Sequence, residues 1–327
     1  MNILLVSNTH IPVYAYGGTE RVIWDLGDAL SQLGHEVTYL VAAGSTCPFA
    51  KVFHIDPNTD LRMQIPDGID IVHFQFKPEF SLDDDFTKPY VVTEHGNTAA
   101  DNVLPLNCIF VSKNHAERHG SDQFVYNGLN WDAYGAVDFD ARREHHHFLG
   151  KAAWRVKNVA GAIDVALDAG VKLAVLGGTR LNLKRGLRFT WSRKIEFYGM
   201  VGGQEKFRLL NMSNGLIFPV RWHEPFGLAV IESLYFGCPV FATPYGALPE
   251  LITPEHGCLS ASKAALVSSS QHQSFDVRAC HQHAVAHFNA EKMARGYLEK
   301  YEQILEGELL SRDHPRATGR DVRLPWS

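Results

Sequence analysis

The sequence predicts an α/β protein built from two Rossmann-like domains that face each other across a central cleft. Short apolar segments of strand length alternate with amphipathic helical segments from the first residue onward, as in a parallel sheet flanked by helices. The alternation stops once and then resumes, and a chain of 327 residues is long enough for about two domains. Ligands of such folds bind at the carboxyl ends of the strands, so we expect the functional residues in the loops that follow them.

The first block of alternation covers residues 1–130, which we expect to form the N-terminal domain. The segment from about Thr19 to Leu33 is predicted to be a helix, because apolar side chains recur on one of its faces and Gly34 ends the pattern. Strands are predicted in the apolar segments NILLVS, HEVTYLVAA, IDIVHFQF, PYVVTEHG and NCIFVSK, in this order.

The boundary between the domains is predicted near residues 128 to 147, where polar residues follow one another without periodicity. This segment ends in three consecutive histidines, His145, His146 and His147. Consecutive side chains do not converge on one ion in any regular element. A solvated linker is therefore favoured here over a metal site.

The second block covers residues 131–300, the predicted C-terminal domain. Strands are predicted in FLG, VKLAVLGG, IEFYG and GLIFPV, and helices in KNVAGAIDVALDAG, EKFRLLNMS and FGLAVIESLYFG. A long helix, FNAEKMARGYLEKYEQILEGELL, closes the chain. Residues 301–327 are expected to contain the end of this helix and a loose tail.

The charge and cysteine content disfavour several classes of function. With 31 basic and 36 acidic residues the net charge is -5, which gives no electrostatic reason to expect a nucleic-acid partner. The five cysteines are far apart and form no Cys-x-x-Cys pair, which favours a reducing compartment over disulfides or zinc. The N-terminus is predicted to be a strand rather than a signal peptide, and no apolar segment is long enough to span a membrane. A cytoplasmic protein is therefore expected.

Two glutamates, Glu224 and Glu232, flank the apolar start of a predicted helix. Pro225 favours helix entry, so the free amides of residues 226–228 are expected to face the strand ends, where a phosphate group would bind. Glu232 lies four residues after Leu228 on the same helical face and can accept hydrogen bonds from ribose hydroxyls. Glu224 is expected on the opposite side of the phosphate, near a second polyhydroxylated group. The alternative is that Glu224 only complements the helix dipole and that Glu232 is exposed.

Two lysines, Lys151 and Lys157, lie in the segment FLGKAAWRVKN, between a predicted strand and a predicted helix. Either lysine alone would be taken for a surface residue, since lysines are mostly exposed. Together they place two cations where a diphosphate can be neutralised and stabilised as a leaving group. The lysine pair therefore favours the ligand-binding interpretation of the two glutamates.

These segments resemble the retaining glycosyltransferases of family 4, which have the GT-B fold and transfer a sugar from a nucleotide diphosphate donor. The stretch from Glu224 to Glu232 resembles the Glu-x7-Glu motif of that family, and FLGKAAWRVKN resembles its phosphate motif. The segments AYGGTERVIWDLGDALSQLGHEVTYL, DIVHFQ, VVTEHGN, FVSKNHAERH and VYNGLN are similar to first-domain landmarks of the family. The resemblance extends through nearly the whole chain and includes a closing helix that crosses back to the first domain.

The resemblance implies a metal-independent hexosyltransferase with a nucleotide-diphosphate sugar as co-substrate and no resident cofactor. The N-terminal domain then binds the acceptor and the C-terminal domain binds the nucleotide sugar. Catalytic roles are implied for Glu224, His95, Lys151 and Lys157. Donor-binding roles are implied for Gly17, Gly18, Gly150, Lys151, Lys157, Met200, Glu224, Pro225, Phe226, Gly227, Leu228 and Glu232.

In this assignment Glu232 contacts the ribose, Glu224 contacts the transferred sugar, and backbone near Met200 contacts the base. The two lysines contact the diphosphate. The family commonly has arginine at the position of Lys151, and lysine keeps the charge but loses the bidentate fork. The acceptor, whether a glycan, a lipid-linked sugar or a small molecule, is not specified by these residues.

Two other functions fit the same architecture. A nucleotide-sugar 2-epimerase would consume the donor without an acceptor, and a non-catalytic protein would bind the sugar nucleotide without turnover. A dehydrogenase is disfavoured because the first βα turn lacks Gly-x-Gly-x-x-Gly. The basic segment 182–194 is expected either to form a solvated loop or to make a weak peripheral contact with the inner face of a membrane.

Overall fold

The computed structural model describes residues 1–13, 17–182, 188–319 and 323–327, which form two compact units. The first unit comprises residues 1–13, 17–130 and 288–319, and the second comprises residues 131–182, 188–287 and 323–327. Each unit contains one six-stranded parallel sheet with helices packed against it. The prediction of two Rossmann-like α/β domains is confirmed.

The sheet of the first unit is built on a central strand that begins the chain. Its strands are β1 (Asn2–Val6), β2 (Glu36–Val41), β3 (Lys51–His54), β4 (Ile71–Phe74), β5 (Tyr90–Glu94) and β6 (Cys108–Phe110). They pair in the order β3-β2-β1-β4-β5-β6, and every pair is parallel. The chain builds outward from β1 on one side and then on the other, so the order reverses between β1 and β4. Strand β3 was not predicted, because as an edge strand its side chains are mostly exposed and lack an apolar run.

The described part of this unit contains three α-helices: α1 (Thr19–Gln32), α2 (Lys113–Glu117) and α9 (Ala290–Leu305). Helix α9 packs against α1 and β5. The buried Tyr297 shares a 2.9 Å hydrogen bond with Thr93, and the buried Tyr301 shares one of 2.7 Å with His73. The limits of the units therefore differ from the expected ones: the chain leaves the second unit after residue 287 and returns to it only at residues 323–327, and the expected limit at residue 300 falls inside α9.

The sheet of the second unit repeats the topology of the first. Its strands are β7 (His145–Leu149), β8 (Leu173–Leu176), β11 (Ile195–Gly199), β12 (Ser213–Phe218), β13 (Val240–Ala242) and β14 (Gly257–Leu259), while β9 (Leu181–Asn182) and β10 (Arg188–Phe189) form a separate hairpin. The order is β11-β8-β7-β12-β13-β14, so it reverses between β7 and β12. The helices are α3 (Val159–Asp168), α4 (Gly203–Asn211), α5 (Leu228–Tyr235), α6 (Leu248–Leu251), α7 (Lys263–His272) and α8 (Val277–His287). The crevice at such a reversal is the usual ligand position in open α/β sheets.

The histidine triplet forms most of β7, a central strand, and the prediction of a solvated linker is wrong. His145, His146 and His147 are 9%, 5% and 0% exposed. The ring nitrogens of His147 hydrogen-bond the hydroxyls of Ser213 and Ser233 at 2.6 and 2.8 Å. These serines let a polar ring occupy a core position, since buried polar groups need partners.

The described part of the tail is hydrogen-bonded rather than loose. In the first unit, Leu104 N donates to Pro315 O and Arg316 N donates to His119 O. In the second unit, Leu324 N donates to Arg221 O at 2.9 Å. Of the basic segment 182–194, residues 183–187 lie outside the described residues. No helix in the described part of the chain is both long enough and apolar enough to cross a membrane.

Candidate functional site

Two loops meet at the carboxyl ends of β7 and β12, the strands between which the order of the second sheet reverses. The β7 loop covers residues 150–158 and the β12 loop covers residues 219–227. Arg221 N donates a 2.7 Å hydrogen bond to Val156 O. Asn158 caps α3, and its Nδ2 donates to Pro219 O at 2.9 Å. The two loops are thus held together by one backbone hydrogen bond and by the side chain of Asn158.

Lys157 of the β7 loop and Glu224 of the β12 loop form a close ion pair. The Lys157 ammonium lies 2.8 Å from Oε1 and 2.7 Å from Oε2 of Glu224, and the two side chains are 14% and 8% exposed. Trp222 Nε1 donates to Oε2 at 2.7 Å. The ammonium also lies 4.8 Å from the ring centroid of Trp222 and 5.3 Å from that of Phe218. A buried carboxylate with three hydrogen bonds from fixed donors is held in one orientation.

A third loop, which follows β13, supports the backbone of Glu224. Ala247 N donates to Glu224 O at 2.9 Å, and Gly246 runs parallel to Glu224 in an isolated bridge. Gly246 has a φ of 67°, and a Cβ there would lie 2.3 Å from both N and O of Glu224. Only glycine fits this close approach, so the position of Glu224 depends on residue 246.

Helix α5 begins at Leu228, with Gly227 as its N-cap at a φ of 116°. Residues 226–228 were predicted to lie together in the first turn, but Phe226 and Gly227 precede it. The side chain of Phe226 is 3% exposed, and Pro225 and Glu224 come directly before it. The start of α5 therefore follows the Glu224 loop at the sheet edge, as the motif predicts.

Glu232, on α5, is buried and paired with a lysine that the sequence analysis missed. Lys206 Nζ lies 2.5 Å from Glu232 Oε1, and the two side chains are 5% and 8% exposed. Tyr134 OH donates to the same oxygen at 2.6 Å. The interpretation of Glu232 as simply exposed is wrong. Lys206 shares one face of α4 with the buried Leu209 and Leu210. The spacing of this lysine, three and four residues before two leucines, was the sequence feature that could have predicted its burial.

The remaining predicted residues of this unit lie around the same sheet edge. Gly150 follows β7, and Lys151 is exposed, with its ammonium 5.1 Å from the ring centroid of Trp154. Met200 follows β11 and is 45% exposed. Next to it, the ends of β8 and β11 line a shallow hollow of about 390 Å³ that includes Gly178 and Tyr198. The structure thus brings Lys157 and Glu224 into contact, whereas Lys151 is exposed and Met200 follows β11, two strands away from β7 in the sheet.

The predicted residues of the first unit follow β1 and β5. Gly17 and Gly18 directly precede α1, with Gly18 as its N-cap. His95 follows β5, and its Nε2 hydrogen-bonds Gln75 Oε1 at 2.9 Å. Burial lowers the pKa of His95 to about 4 and raises the pKa of the adjacent Glu94 to about 7. His95 is therefore a neutral ring at physiological pH.

Within residues 1–13, 17–182, 188–319 and 323–327, no group of three or more His, Cys, Asp or Glu side chains is placed to hold a metal ion.

The loops at the reversal between β7 and β12 fall within a segment that matches a known family model. Residues 138–272 match the model of the glycosyl transferases, group 1. This segment contains Lys151, Lys157, Lys206, Glu224 and Glu232. The match supports a glycosyltransferase. No curated protein sequence matches the chain significantly.

Solved glycosyltransferase structures share the whole fold. AviGT4, a glycosyltransferase involved in avilamycin A biosynthesis, superposes with a TM-score of 0.73 at 21% identity, over 94% of this chain and 98% of that one. Sucrose-phosphate synthase from Thermosynechococcus elongatus has a TM-score of 0.71 at 17% identity, over 94% and 100% of the two chains. HepE from Anabaena, in complex with UDP and glucose, has a TM-score of 0.64 at 14% identity, over 92% and 99%. The predicted GT-B fold is confirmed.

Proposed function

We propose that the protein is a retaining glycosyltransferase of family 4, which moves a sugar from a nucleoside diphosphate sugar to an acceptor hydroxyl. One observation carries the proposal: Lys157 and Glu224 meet at the reversal of the second sheet, beside the start of α5. The match to group 1 glycosyl transferases covers both residues. The product would be a glycan, a glycolipid or a glycosylated metabolite.

The diphosphate of the donor would bind between the β7 loop and the start of α5. Backbone amides at a helix start and a nearby ammonium are the usual ligands of phosphate groups. Lys157 lies within the crevice and Lys151 lies at its rim, so the two lysines would contact different phosphate oxygens. Glu232 would accept hydrogen bonds from the ribose.

Glu224 would orient the transferred sugar through its hydroxyls. Its carboxylate is already fixed by Lys157 and Trp222, and preorganised groups lose little freedom when the ligand binds. As the donor binds, the Lys157 ammonium would lie between the Glu224 carboxylate and the diphosphate. A single ammonium has three donors and can serve both acceptors.

In the reaction, the bond between the anomeric carbon and the diphosphate oxygen breaks, and the electron pair stays on the diphosphate. The sugar then has oxocarbenium-like character, and the acceptor hydroxyl attacks from the face that the diphosphate leaves. Its O–H bond breaks as the new C–O bond forms, and the proton passes to an oxygen of the departing diphosphate. Positive charge fixed next to the leaving group lowers the barrier most, because negative charge builds there in the transition state. The two lysines and the start of α5 would supply it without a resident cofactor or a divalent ion.

The test is to follow nucleoside diphosphate release from UDP-, GDP-, ADP- and dTDP-glucose, with and without a mixture of sugar and lipid acceptors. We expect release from one donor that depends on an acceptor, persists in EDTA and is lost in Glu224→Gln. NMR of the product should show the anomeric configuration of the donor. Donor consumption without any acceptor would indicate an epimerase instead, and loss of activity in EDTA with recovery on adding Mg²⁺ would refute the metal-independent mechanism.

A further inference from the structure

We propose that Lys206 is a positioning residue that, together with Tyr134, sets Glu232 to select ribose over deoxyribose in the bound nucleotide. This inference rests on the proposed function, because it assigns the ribose of the donor to Glu232. It adds two residues to the site that neither the Glu-x7-Glu spacing nor the phosphate motif identifies.

Lys206 is charged, yet it is almost completely enclosed. It is 4% exposed, and its ammonium lies 5.3 Å and 5.7 Å from the ring centroids of Tyr134 and Phe207. An ammonium in such surroundings needs a carboxylate partner, because desolvation disfavours an isolated charge. Glu232 supplies that partner at 2.5 Å. The ammonium of Lys206 therefore contacts Glu232 and is shielded from solvent.

Tyr134 fixes the same oxygen from another direction. It ends a single turn of 3-10 helix, Trp131–Tyr134, and is 2% exposed. This turn is tied to α5 next to Glu232: Tyr235 stacks on Trp131 with centroids 4.5 Å apart, and its hydroxyl donates to Gly135 O at 2.8 Å. Two short hydrogen bonds to Oε1, from rigid neighbours, fix the plane of the Glu232 carboxylate. A fixed carboxylate discriminates between ligands with and without a hydroxyl more sharply than a mobile one.

Lys206 also resolves an electrostatic conflict at the site. Glu232 lies on α5 one turn after Leu228, close to where a diphosphate would bind, and two anions at short range repel each other. The Lys206 ammonium neutralises Glu232, as Lys157 neutralises Glu224. The two glutamates thus contribute no net negative charge when an anionic donor approaches.

The experiment measures binding of ribose and 2′-deoxyribose forms of the same nucleotide by isothermal titration. The probes are UDP and 2′-deoxy-UDP, ADP and 2′-deoxy-ADP, and GDP and 2′-deoxy-GDP, each added to the full chain. For the wild-type protein we expect one ribonucleotide to bind about tenfold or more tightly than its deoxy form, as one hydrogen bond to a charged group allows. In Lys206→Met the ratio should fall to within about threefold of unity.

Lys263→Met is the matched control, since it removes an exposed ion pair with Asp168 from the same unit. It should keep the wild-type ratio. In the Glu232→Gln background, Lys206→Met should change the ratio no further, because Lys206 acts through Glu232. If Lys206→Met does not fold, Tyr134→Phe removes the second hydrogen bond to Oε1 with little change in volume and should lower the ratio in the same direction.

Three results would overturn the inference while leaving the proposed function intact. The first is a wild-type ratio near unity for every nucleotide that binds. The second is an equal loss of affinity for both sugars in Lys206→Met, which would place Lys206 at the diphosphate. The third is binding of dTDP by the wild-type protein when none of the six nucleotides binds, because the sugar of dTDP has no 2′-hydroxyl. If neither dTDP nor any of the six nucleotides binds, the proposed function itself fails.

Discussion

Lys157 bridges both carboxylate oxygens of Glu224, with its ammonium 2.8 Å from Oε1 and 2.7 Å from Oε2. The two residues come from loops that follow adjacent parallel strands, and both side chains are largely buried. The pair therefore has a structural consequence before any ligand binds. The ion pair links the β7 loop to the β12 loop, and the two opposite charges neutralise each other.

Replacing one residue of the Lys157–Glu224 pair should lower the free energy of unfolding, because the charge of the other residue is left buried without its partner. Lys157→Met is expected to lower the free energy of unfolding by about 3–5 kcal/mol, and Lys157→Met with Glu224→Gln together by clearly less. Urea unfolding followed by circular dichroism measures both. Lys113→Met is the control, since its partner Glu117 is 3.7 Å away and both side chains are more than half exposed; it should cost less than about 1 kcal/mol. Equal losses in the single and double variants would contradict the buried-pair interpretation.

Gly246 should be required for the position of Glu224. In Gly246→Ala the new methyl group would lie 2.3 Å from the backbone N and O of Glu224, so the β12 loop must move. Gly44→Ala is the matched control: Gly44 has a φ of 89°, but a Cβ there meets nothing within 4 Å. Gly44→Ala should lower the free energy of unfolding by about 1–2 kcal/mol, because the backbone strain of alanine at a positive φ is the only cost there. Gly246→Ala should cost more and abolish nucleotide binding, as measured by thermal unfolding and titration, and wild-type binding in this variant would refute the dependence.

His146 should make the protein sensitive to acid. Burial, reinforced by the neighbouring His145, lowers the pKa of His146 to about 4, below the usual value near 6.5 of an unfolded chain. A group whose folded pKa is lowered contributes stability that is complete above the unfolded pKa and is lost as the pH falls toward the folded one. Between pH 7.5 and pH 5, His146→Leu should therefore lose less stability than the wild type, by about 2 kcal/mol.

Urea titrations at the two pH values measure this difference. His272→Leu, which makes the same replacement at an exposed histidine, is the control for the substitution itself. An acid sensitivity of His146→Leu equal to that of the wild type would contradict the lowered pKa of His146.

Local patterns were enough to predict most of the sheets. Strands such as β1 and β8 are short runs of buried apolar residues, and α1 has one apolar face bounded by glycines. His147 broke the rule, because its burial depends on Ser213 and Ser233, which are far away in the chain. Side-chain partners at such separations are invisible to a local pattern.

Only part of the candidate site could be predicted from local patterns. Lys157 and Glu224 each lie between a predicted strand and a predicted helix, and the structure has them in the loops that follow β7 and β12. Lys206 looks like one more surface lysine of a helix, and its partner Glu232 follows 26 residues later. The limits of the units could not be predicted from local patterns because both units are discontinuous: residues 288–319 return to the first unit, and residues 323–327 return to the second.

The most direct test of the central claim is whether the wild-type protein binds a nucleoside diphosphate sugar through the Lys157–Glu224 crevice. Thermal unfolding with UDP-, GDP-, ADP- and dTDP-sugars measures this, because a ligand at about 100 times its Kd stabilises the folded state by about 2.7 kcal/mol. We predict that one donor raises Tm by several degrees in the wild type and in Lys113→Met, and that the shift disappears in Lys157→Met. No shift with any donor, or an undiminished shift in Lys157→Met, would contradict the account.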